Sequence, residues 1–411
     1  MTKRWIQASI AIDNAGVKQP LAILPQPPDS SPQRVSAIER RVQQLTELVA
    51  ARRSVLVLTH NDPDPDAIAS GWALQRMLEA LAPKTQIILA HGGMIGRAEN
   101  RAMARLFTPH IVHIPRQEAE EQIKKFDGVI LVDTQPAAGN HLLSAVDPPS
   151  ENILAALDHH PPRRSQLRAV IHDVRPEVGA TATLLCDYLA AVQFDVDPAL
   201  ATALFYGVKS DTRGLSRHTS ELDIWAYSAL RNLVDTDLLN QIEQVRLPRA
   251  YFRGISDALA NTMLYACSQN GPADNGKGEN DGGSGVQPCY GYVAVSLLPN
   301  MQRPDMAAEV ADLLMRMEEV SWAIGLGVYE DRLVISVRTD APEGRAGRLV
   351  RAIVGKTGTA GGHDTMAGGR IPRPDATPTE RIAELHALVP RFLQALGAGE
   401  SVGEPLLKAG E

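Results

Sequence analysis

The sequence predicts an α/β protein with a mostly parallel, doubly wound sheet, followed by a smaller α/β domain. Short β-branched and leucine-rich runs alternate with amphipathic segments through the first half of the chain, a pattern typical of parallel sheets with helices on both faces. The chain has 411 residues, which is more than one domain usually holds, so we expect two domains.

The composition of the chain limits the classes of protein to which it can belong. Hydrophobic residues make up 44% of the chain and charged residues 22%, as in soluble globular proteins. The formal net charge of −7 argues against a protein that coats long nucleic acid through a basic surface. No apolar run approaches transmembrane length and the first residues lack a signal-peptide core, so we expect a cytoplasmic protein without membrane association. Cys186, Cys267 and Cys289 are odd in number and not in metal-ligand spacing, which indicates a reducing compartment and no disulfide framework.

Changes in composition divide the chain into six segments. Five prolines between Gln19 and Gln33 indicate an extended N-terminal linker. A polar, glycine-rich stretch in the second half predicts a disordered loop. The predicted segments are an N-terminal extension (1–34), a first domain (35–218), a helical connector (219–267), the disordered loop (268–288), a second domain (289–376) and a C-terminal helix with its tail (377–411).

In the first domain, hydrophobic runs and helical periodicities follow one another in strand–helix order. Predicted strands cover 55–58, 86–89, 111–114, 127–132 and 152–157, and predicted helices cover 35–53, 67–81, 98–107, 198–208 and a stretch that begins near 179. Thr181 and Thr183 in that last helix either bind phosphate or cap the helix. His60, Asp133 and Asp158 follow strands, and ligands of open α/β sheets bind outside the carboxyl ends of strands. We therefore expect these three side chains to share a site.

The second domain repeats the pattern on a smaller scale. Predicted strands cover 290–297, 322–329 and 332–338, predicted helices cover 306–317 and 346–354, and the domain ends in the glycine-rich TGTAGGHDTMAGGR. Thr377, with Pro378 after it and Glu380 three residues later, predicts the capped start of a C-terminal helix. Pro390 predicts a kink in that helix.

The stretch VLVLTHNDPDPDAIAS, residues 55–70, carries the strongest chemical signal. His60 and three aspartates stand within seven residues, separated by prolines that keep the backbone extended. Carboxylates this crowded repel one another unless a cation lies among them, and carboxylates with an imidazole suit Mn²⁺ or Mg²⁺. The alternative is a proline-rich surface turn with an incidental histidine.

Three further groups of titratable residues follow later elements of the same domain. They are Asp133, the triplet Asp158-His159-His160, and Asp211 near the end of a predicted helix. Each group is weak evidence by itself. Four groups at element ends of one domain together predict a metal centre.

These motifs resemble the DHH phosphoesterase superfamily, which is named for its Asp-His-His triplet. HNDPDPDAIAS, VDTQP, DHH and GVKSDT resemble its four motifs in order, and SVRT with GGHDTMAGG resembles the end of its associated substrate domain. The resemblance covers about residues 53–372. It places the chain nearest to the branch that degrades short oligonucleotides, 3′-phosphoadenosine 5′-phosphate (pAp) or cyclic dinucleotides.

The resemblance implies two divalent ions, usually Mn²⁺, with Mg²⁺ or Co²⁺ as substitutes. The first ion would be held by His60, Asp64 and Asp133. The second would be held by a set that shares the bridging aspartate, namely Asp66, Asp133, His159 and Asp211.

The same resemblance implies the catalytic roles. Asp133 would bridge the two ions, and Asp158 would orient a histidine from behind. His160 would face the phosphate and protonate the leaving oxygen. Asp62 stands at a position that varies in the family, and we expect it not to bind metal.

In the second domain the resemblance implies a substrate-binding set of Ser336, Arg338, Gly361, Gly362 and His363. The arginine fork matches a phosphate, and the glycines let backbone N–H groups approach it closely. The active site would then lie in the cleft between the two domains. The alternative for the glycine-rich segment is a tight turn with a solvated histidine.

The leading hypothesis is a Mn²⁺-dependent phosphoesterase that hydrolyses short oligoribonucleotides, pAp or cyclic dinucleotides through two-metal activation of a bridging water. The sequence does not separate these substrates. The alternatives are a RecJ-type single-strand exonuclease, a manganese pyrophosphatase and a non-catalytic nucleotide-binding regulatory protein. We expect no binding of long duplexes, and the oligomeric state stays open, with a homodimer as one option.

Overall fold

The computed structural model describes residues 21–146, 152–162, 168–217, 219–267, 286, 288–341, 344–362 and 364–407. The chain forms two compact units, Met1–Arg246 and Leu247–Glu411. The boundary between them falls inside 219–267, the segment predicted as a helical connector. The predicted loop 268–288 lies outside the described residues, apart from residues 286 and 288.

The first unit alternates strands and helices along the chain, as the sequence predicts. Its elements are β1 (Ala22–Ile23), α1 (Pro32–Ala50), β2 (Ser54–Leu58), α2 (Pro65–Leu81), β3 (Gln86–His91), α3 (Ala98–Phe107), β4 (Val112–His113), α4 (Ala119–Ile123), β5 (Gly128–Val132), β6 (Ile153–Asp158), β7 (Ile171–Val174), α5 (Thr181–Ala191), β8 (Asp195–Val196), α6 (Pro198–Asp211), α7 (Glu221–Arg231) and α8 (Thr236–Glu243).

Six of these strands form one parallel sheet in the order β4-β3-β2-β5-β6-β7. The strand order reverses at β2, because the chain runs from β2 to one edge and then returns to the other side of β2. Leu58 lies opposite Leu131, and Val132 lies opposite Leu157, so the loops after β2, β5 and β6 leave the sheet along one edge. This reversal is the place where open α/β sheets bind ligands.

Both faces of this sheet are buried, which confirms the predicted doubly wound α/β class. Val55 and Val57 pack into a core with the helices of one face, whereas Leu56 and Leu58 pack into a smaller core on the other. All four side chains are fully buried. A strand covered on both faces needs apolar residues at every position, and this requirement explains the unbroken hydrophobic runs in the sequence.

The described part of the predicted N-terminal extension packs against the first unit. β1 pairs antiparallel with β8, and Leu24 is buried in the main core. The Gln26 side-chain amide donates to the backbone oxygen of Ala190 at 3.0 Å. Residues 21–31 are therefore anchored along the domain surface, where the proline content had indicated only an extended linker.

The second unit is built on a seven-stranded mixed sheet. Its elements are α9 (Arg249–Ala260), β9 (Thr262–Ala266), β10 (Tyr292–Leu298), α10 (Met306–Leu314), β11 (Val320–Tyr329), β12 (Arg332–Thr339), α11 (Ala346–Val354), β13 (Thr359–Gly362), β14 (Met366–Pro372), α12 (Pro378–Leu396) and β15 (Glu404–Pro405). The strand order is β13-β14-β12-β11-β10-β9-β15, with only β10 and β11 parallel. The buried side chains divide into two separate clusters.

The C-terminal helix α12 begins as predicted and does not stop at its proline. Thr377 and Glu380 form a reciprocal capping box, and the helix continues past Pro390 to Leu396. Gly397 ends it in the left-handed region with φ of 80°. Every helix in the described ranges, this one included, is too short or too polar to cross a bilayer.

A disulfide joins Cys267 to Cys289, so the expectation of unpaired cysteines is wrong for this pair. Cys267 directly follows β9, and Cys289 precedes β10, the antiparallel neighbour of β9. The strand pairing brings their Cα atoms to 5.7 Å, within the usual range for a bridge. Cys186 is free and buried in the first unit.

Candidate metal centre

The three aspartates in the Pro-Asp repeat after β2 differ from one another in their surroundings. Asp64 is the N-cap of α2 and accepts a hydrogen bond from the Ala67 N–H at 3.1 Å. Asp66 lies in the first helical turn and is fully buried. Asp62 instead accepts a hydrogen bond at 3.0 Å from the backbone N–H of Met94, in the loop after β3. The prolines thus set two aspartates at the helix entrance and a third against a neighbouring loop.

Asp133 occupies the centre of the site. It follows β5 directly, adopts a positive φ of 57° and is 1% exposed. Its Oδ2 atom lies 3.5 Å from His60 Nε2, whereas Oδ1 lies 3.7 Å from His159 Nε2. Each carboxylate oxygen therefore faces a different histidine, which is the arrangement expected of a ligand that bridges two cations.

The second histidine faces three carboxylates. His159 Nε2 lies 3.4 Å from Asp211 Oδ2 and 4.0 Å from Asp66 Oδ2, in addition to its approach to Asp133. This nitrogen is buried and has no hydrogen-bond partner. On the other side of the ring, Nδ1 lies 3.4 Å from the Val178 carbonyl, which fixes the orientation of the imidazole. A buried nitrogen that meets only carboxylate oxygens fits a divalent cation between them.

The structure brings all six predicted ligands together. Their donor atoms fall into groups that lie within 4.8 Å of one another: His60, Asp64 and Asp133; Asp66, His159 and Asp211; and Asp133, His159 and His160. The third group adds His160, which the sequence assigned to catalysis and not to metal binding.

The Asp158 carboxylate holds the triplet in place from behind. Its Oδ1 atom lies 2.8 Å from His160 Nδ1 and accepts hydrogen bonds from the backbone N–H groups of His159 and His160 at 2.9 and 3.2 Å. Its Oδ2 atom accepts a hydrogen bond from Gln135 Nε2 at 2.7 Å. Asp158 is fully buried and orients the His160 ring, as the resemblance implies.

Burial and the crowding of negative charge shift the pKa values of the carboxyl groups. Burial raises the pKa of Asp66 well above its usual value, and the charges of Asp133 and Asp211 raise it further. Burial also raises the pKa of Asp211 to about 6, with Asp64 as the next cause. Protons therefore take up part of the excess negative charge when no cation is present.

The pKa values of two imidazoles are also raised, but here the acidic neighbours raise them against the effect of burial. Burial works to lower the pKa of His60, but its contacts with Asp133 and Asp64 outweigh burial and hold that pKa well above the usual value. Burial likewise works to lower the pKa of His159. The contact with Asp211 and the charges of the surrounding carboxylates outweigh burial and raise that pKa well above its usual value. Two histidines kept cationic by acidic neighbours mark a site with affinity for positive charge.

Sequence reasoning missed the residues that support the ligands. Thr181 is not the cap of α5 but the first residue of the helix, and its hydroxyl donates to Asp133 Oδ1 at 2.8 Å. The Thr183 hydroxyl donates to Asp223 Oδ1 at 2.5 Å. Gln135 stood within the VDTQP motif without an assigned role, and its position two residues after Asp133 was the available signal.

Two of the predicted substrate-binding residues lie on β12 of the second unit. Arg338 donates through Nε to Asp312 Oδ1 at 2.6 Å and through one terminal nitrogen to Ser336 Oγ at 3.0 Å. Both side chains are nearly buried, with Ser336 at 4% exposure and the Arg338 side chain at 11%. The arginine is thus held rigidly beside a serine hydroxyl, with part of its charge balanced by Asp312.

Part of the glycine-rich segment forms two paired strands, which the sequence did not predict. Gly361 and Gly362 belong to β13 and pair with Gly368 and Ala367 of β14. Gly362 has a φ of 141°, and a Cβ atom there would come within 2.4 Å of the Ala367 backbone, so only glycine fits. His363 lies outside the described residues.

Comparison with known proteins assigns part of the first unit to a family. Residues 54–208 match the DHH family, N-terminal domain. The chain carries a DHH-family domain. The matched range runs from β2 into α6 and contains every predicted metal ligand except Asp211.

Three relatives are similar to this chain over part of their length. An uncharacterized protein of Methanocaldococcus jannaschii is 31% identical over 77% of this chain and 58% of the relative. The cyclic-di-AMP phosphodiesterase PdeA of Listeria monocytogenes is 27% identical over 48% of this chain and 31% of the relative. The bifunctional oligoribonuclease and PAP phosphatase NrnA of Thermus thermophilus is 26% identical over 53% and 62%. The chain thus spans less than two thirds of the length of each relative.

One solved structure agrees with the fold. An exopolyphosphatase-related protein from Bacteroides fragilis matches with a TM-score of 0.60 and 14% identity, covering 87% of this chain and 98% of that chain. At this level of identity the likeness shows the α/β fold, and it carries no information on the substrate.

Proposed function

We propose that this protein is a Mn²⁺-dependent phosphoesterase that hydrolyses short nucleotides at a two-metal centre. The observation that carries the proposal is the position of Asp133, whose two oxygens face His60 at 3.5 Å and His159 at 3.7 Å. A carboxylate shared by two His/Asp groups is the arrangement needed to hold two cations side by side. The names of two relatives, a cyclic-di-AMP phosphodiesterase and an oligoribonuclease with PAP phosphatase activity, support a short nucleotide as substrate.

The ligand chemistry favours hard divalent cations. Four carboxylates and two imidazoles form the proposed set, with no thiolate among them, and Mn²⁺ or Mg²⁺ prefers such oxygen-rich sites. His60, Asp64 and Asp133 would hold one ion, and Asp66, Asp133, His159 and Asp211 the other. The bound ions would supply an acidified water as nucleophile and positive charge for the phosphoryl oxygens.

His160 is the proposed general acid. The Asp158 contact at Nδ1 fixes its ring and, with the Asp133 charge, outweighs burial and raises the pKa of His160 above its usual value. An imidazole that keeps its proton near neutral pH can donate it to the leaving oxygen. Asp158 is fully hydrogen-bonded and buried, so its role is to orient His160.

A panel of substrates tests the proposed function. The protein is incubated with Mn²⁺, or with EDTA, and with a 5′-phosphorylated diribonucleotide, pAp, cyclic di-AMP or a single strand of about 20 nucleotides. We expect metal-dependent cleavage of at least one small substrate and none of the long strand. Cleavage of the long strand would favour the RecJ-type alternative, and tight nucleotide binding without any cleavage would favour the regulatory alternative.

Two substrates with different leaving groups distinguish a general-acid role of His160 from a metal-binding role. We expect His160→Gln to lower kcat on the preferred nucleotide by about 10²–10⁴-fold, the usual contribution of a general acid. Bis-p-nitrophenyl phosphate should be far less affected, because its leaving group departs without a proton. His172→Gln, at an exposed histidine of β7, serves as the control.

The same variant tests the alternative raised by the third ligand group. If His160→Gln lowers kcat equally on both substrates, and equilibrium dialysis finds fewer bound Mn²⁺ per chain than in the unmodified protein, then His160 is a metal ligand and not the acid.

A further inference from the structure

The first turn of α5 lies directly behind two proposed metal ligands. Thr181 is fully buried, and it contacts both carboxylates at once. Its backbone N–H donates to Asp66 Oδ2 at 2.6 Å, and its hydroxyl donates to Asp133 Oδ1 at 2.8 Å. Asp66 and Asp133 belong to the same proposed ligand group, so one residue connects two ligands of one cation.

Backbone donors hold the Asp66 carboxylate. Oδ2 accepts from the Thr181 N–H, and Oδ1 accepts from the Ala182 N–H at 2.7 Å and from the Ser70 hydroxyl at 3.2 Å. The first N–H groups of a helix have no partner within the helix and favour a negative charge. Each carboxylate oxygen has a second lone pair, so these bonds orient Asp66 and leave acceptor capacity for a cation.

The Asp133 carboxylate depends on the Thr181 side chain. The terminal torsion of an aspartate is broad and roughly two-fold, so the backbone does not fix where its oxygens point. Thr181 contacts Oδ1, the oxygen that faces His159, whereas Oδ2 faces His60. The hydroxyl therefore sets the rotation of the carboxylate that both proposed ions share.

The turn that carries Thr181 is itself tied down. Asp223 on α7 is fully buried and accepts hydrogen bonds from the Gly179 N–H at 2.8 Å and from the Thr183 hydroxyl at 2.5 Å. These bonds hold the residues on both sides of Thr181. The hydroxyl thus acts from a fixed point and not from a mobile loop.

We propose that Thr181 is a positioning residue of the metal centre, and that its hydroxyl sets the orientation of the Asp133 carboxylate for binding of the two cations. The inference deepens the proposed function and rests on the two-metal assignment. It predicts a specific loss of metal affinity when the hydroxyl is removed and the shape of the side chain is kept.

The test compares three variants by Mn²⁺ titration, followed through the electron paramagnetic resonance signal of the free ion. We expect Thr181→Val to weaken the Mn²⁺ Kd of at least one site by about 10–100-fold, as is typical when a residue that supports a ligand is lost. Thr181→Ser keeps the hydroxyl and should bind within about threefold of the unmodified protein. Thr202→Val is the matched control, since Thr202 is equally buried and its hydroxyl donates to the Pro198 carbonyl at 2.6 Å in α6.

Folding is followed in EDTA by circular dichroism and Tm. A merely structural role predicts that Thr181→Val and Thr202→Val lower Tm alike and leave the Mn²⁺ Kd unchanged, and that result would overturn the proposal. If Thr181→Val does not fold, Thr181→Ala is titrated against Thr181→Ser with the same expectation. Failure of the unmodified protein to bind Mn²⁺ would instead refute the two-metal assignment itself.

Discussion

Replacement of Asp133 by alanine is expected to lower kcat on the preferred short nucleotide by about 10³-fold or more. Charge stabilisation by a metal is worth several kcal/mol in the transition state, and each step of about 1.4 kcal/mol corresponds to a factor of ten in rate. Asp133 offers one oxygen to each of the two proposed ion sites, so its loss should disrupt both together. Steady-state kinetics with Mn²⁺ in excess, alongside circular dichroism, measures the effect.

Two aspartate variants serve as controls for this prediction. Asp133→Asn keeps the size of the side chain and should lose nearly as much activity, because the amide is a poor bridge between cations. Asp197→Asn changes another buried aspartate of the same unit, which caps α6 and pairs with Arg76 at 2.6 Å, and should retain activity. Near-normal turnover by Asp133→Ala would refute the two-metal proposal.

Without metal, the proposed ligands Asp66, Asp211, His60 and His159 are expected to contribute less stability as the pH rises from about 4 past 6.5. The folded-state pKa values of Asp66 and Asp211 lie above the ordinary 3.8, and those of His60 and His159 lie above 6.5. At these four groups the folded state binds more protons than the unfolded chain, so their contribution to stability falls with rising pH. His91 and His141, whose pKa values are lowered by burial, contribute in the opposite sense. The shift of the Asp211 pKa from 3.8 to about 6 corresponds to a free energy on the order of 3 kcal/mol.

Mn²⁺ should reverse this trend, since cations bind the deprotonated ligands and release protons. The measurement is Tm across the pH range in EDTA and in Mn²⁺, with the largest gain from Mn²⁺ at the alkaline end. Asp211→Asn should flatten the EDTA profile. The opposite behaviour applies to Asp64, whose pKa is lowered to about 2, so its contribution is lost only in acid. Identical Tm profiles in EDTA for Asp211→Asn and the unmodified protein would contradict the prediction.

The sequence predicted the first unit well because burial on both faces of a parallel sheet leaves a clear pattern. Each apolar run that forms a strand ends at a polar residue, and the sheet order places those ends together. His60, Asp133 and Asp158 were therefore predicted as one site from their positions after strands. Asp211 was predicted by its place at a helix end, and it is the last residue of α6.

Contacts between distant elements were not predicted, because no local pattern records them. Thr181 bonds to residues 48 and 115 positions away, and before the fold is known its hydroxyl looks like any helix-start threonine. The strands β13 and β14 were missed for another reason. Glycine has low strand propensity, so a hairpin built from TAGG and MAGG looks like a loop.

The strand β9 was missed because it follows α9 after a single residue, so its sequence was interpreted as a continuation of the helical segment. Without β9, no predicted element brings Cys267 beside Cys289. A sequence separation of 22 is uninformative until the two flanking strands are paired. The error about the disulfide is therefore an error about one five-residue strand.

The Cys267–Cys289 bridge turns the chain between β9 and β10 into a covalent ring within the second unit. Closing a ring of this size lowers the entropy of the unfolded chain by an amount worth about 3 kcal/mol in the loop-closure model. It also changes the result of a peptide-bond cut anywhere between the two cysteines. Such a cut opens the ring without separating the polypeptide, so the first unit and the remainder of the second unit stay linked until a reductant breaks the bridge.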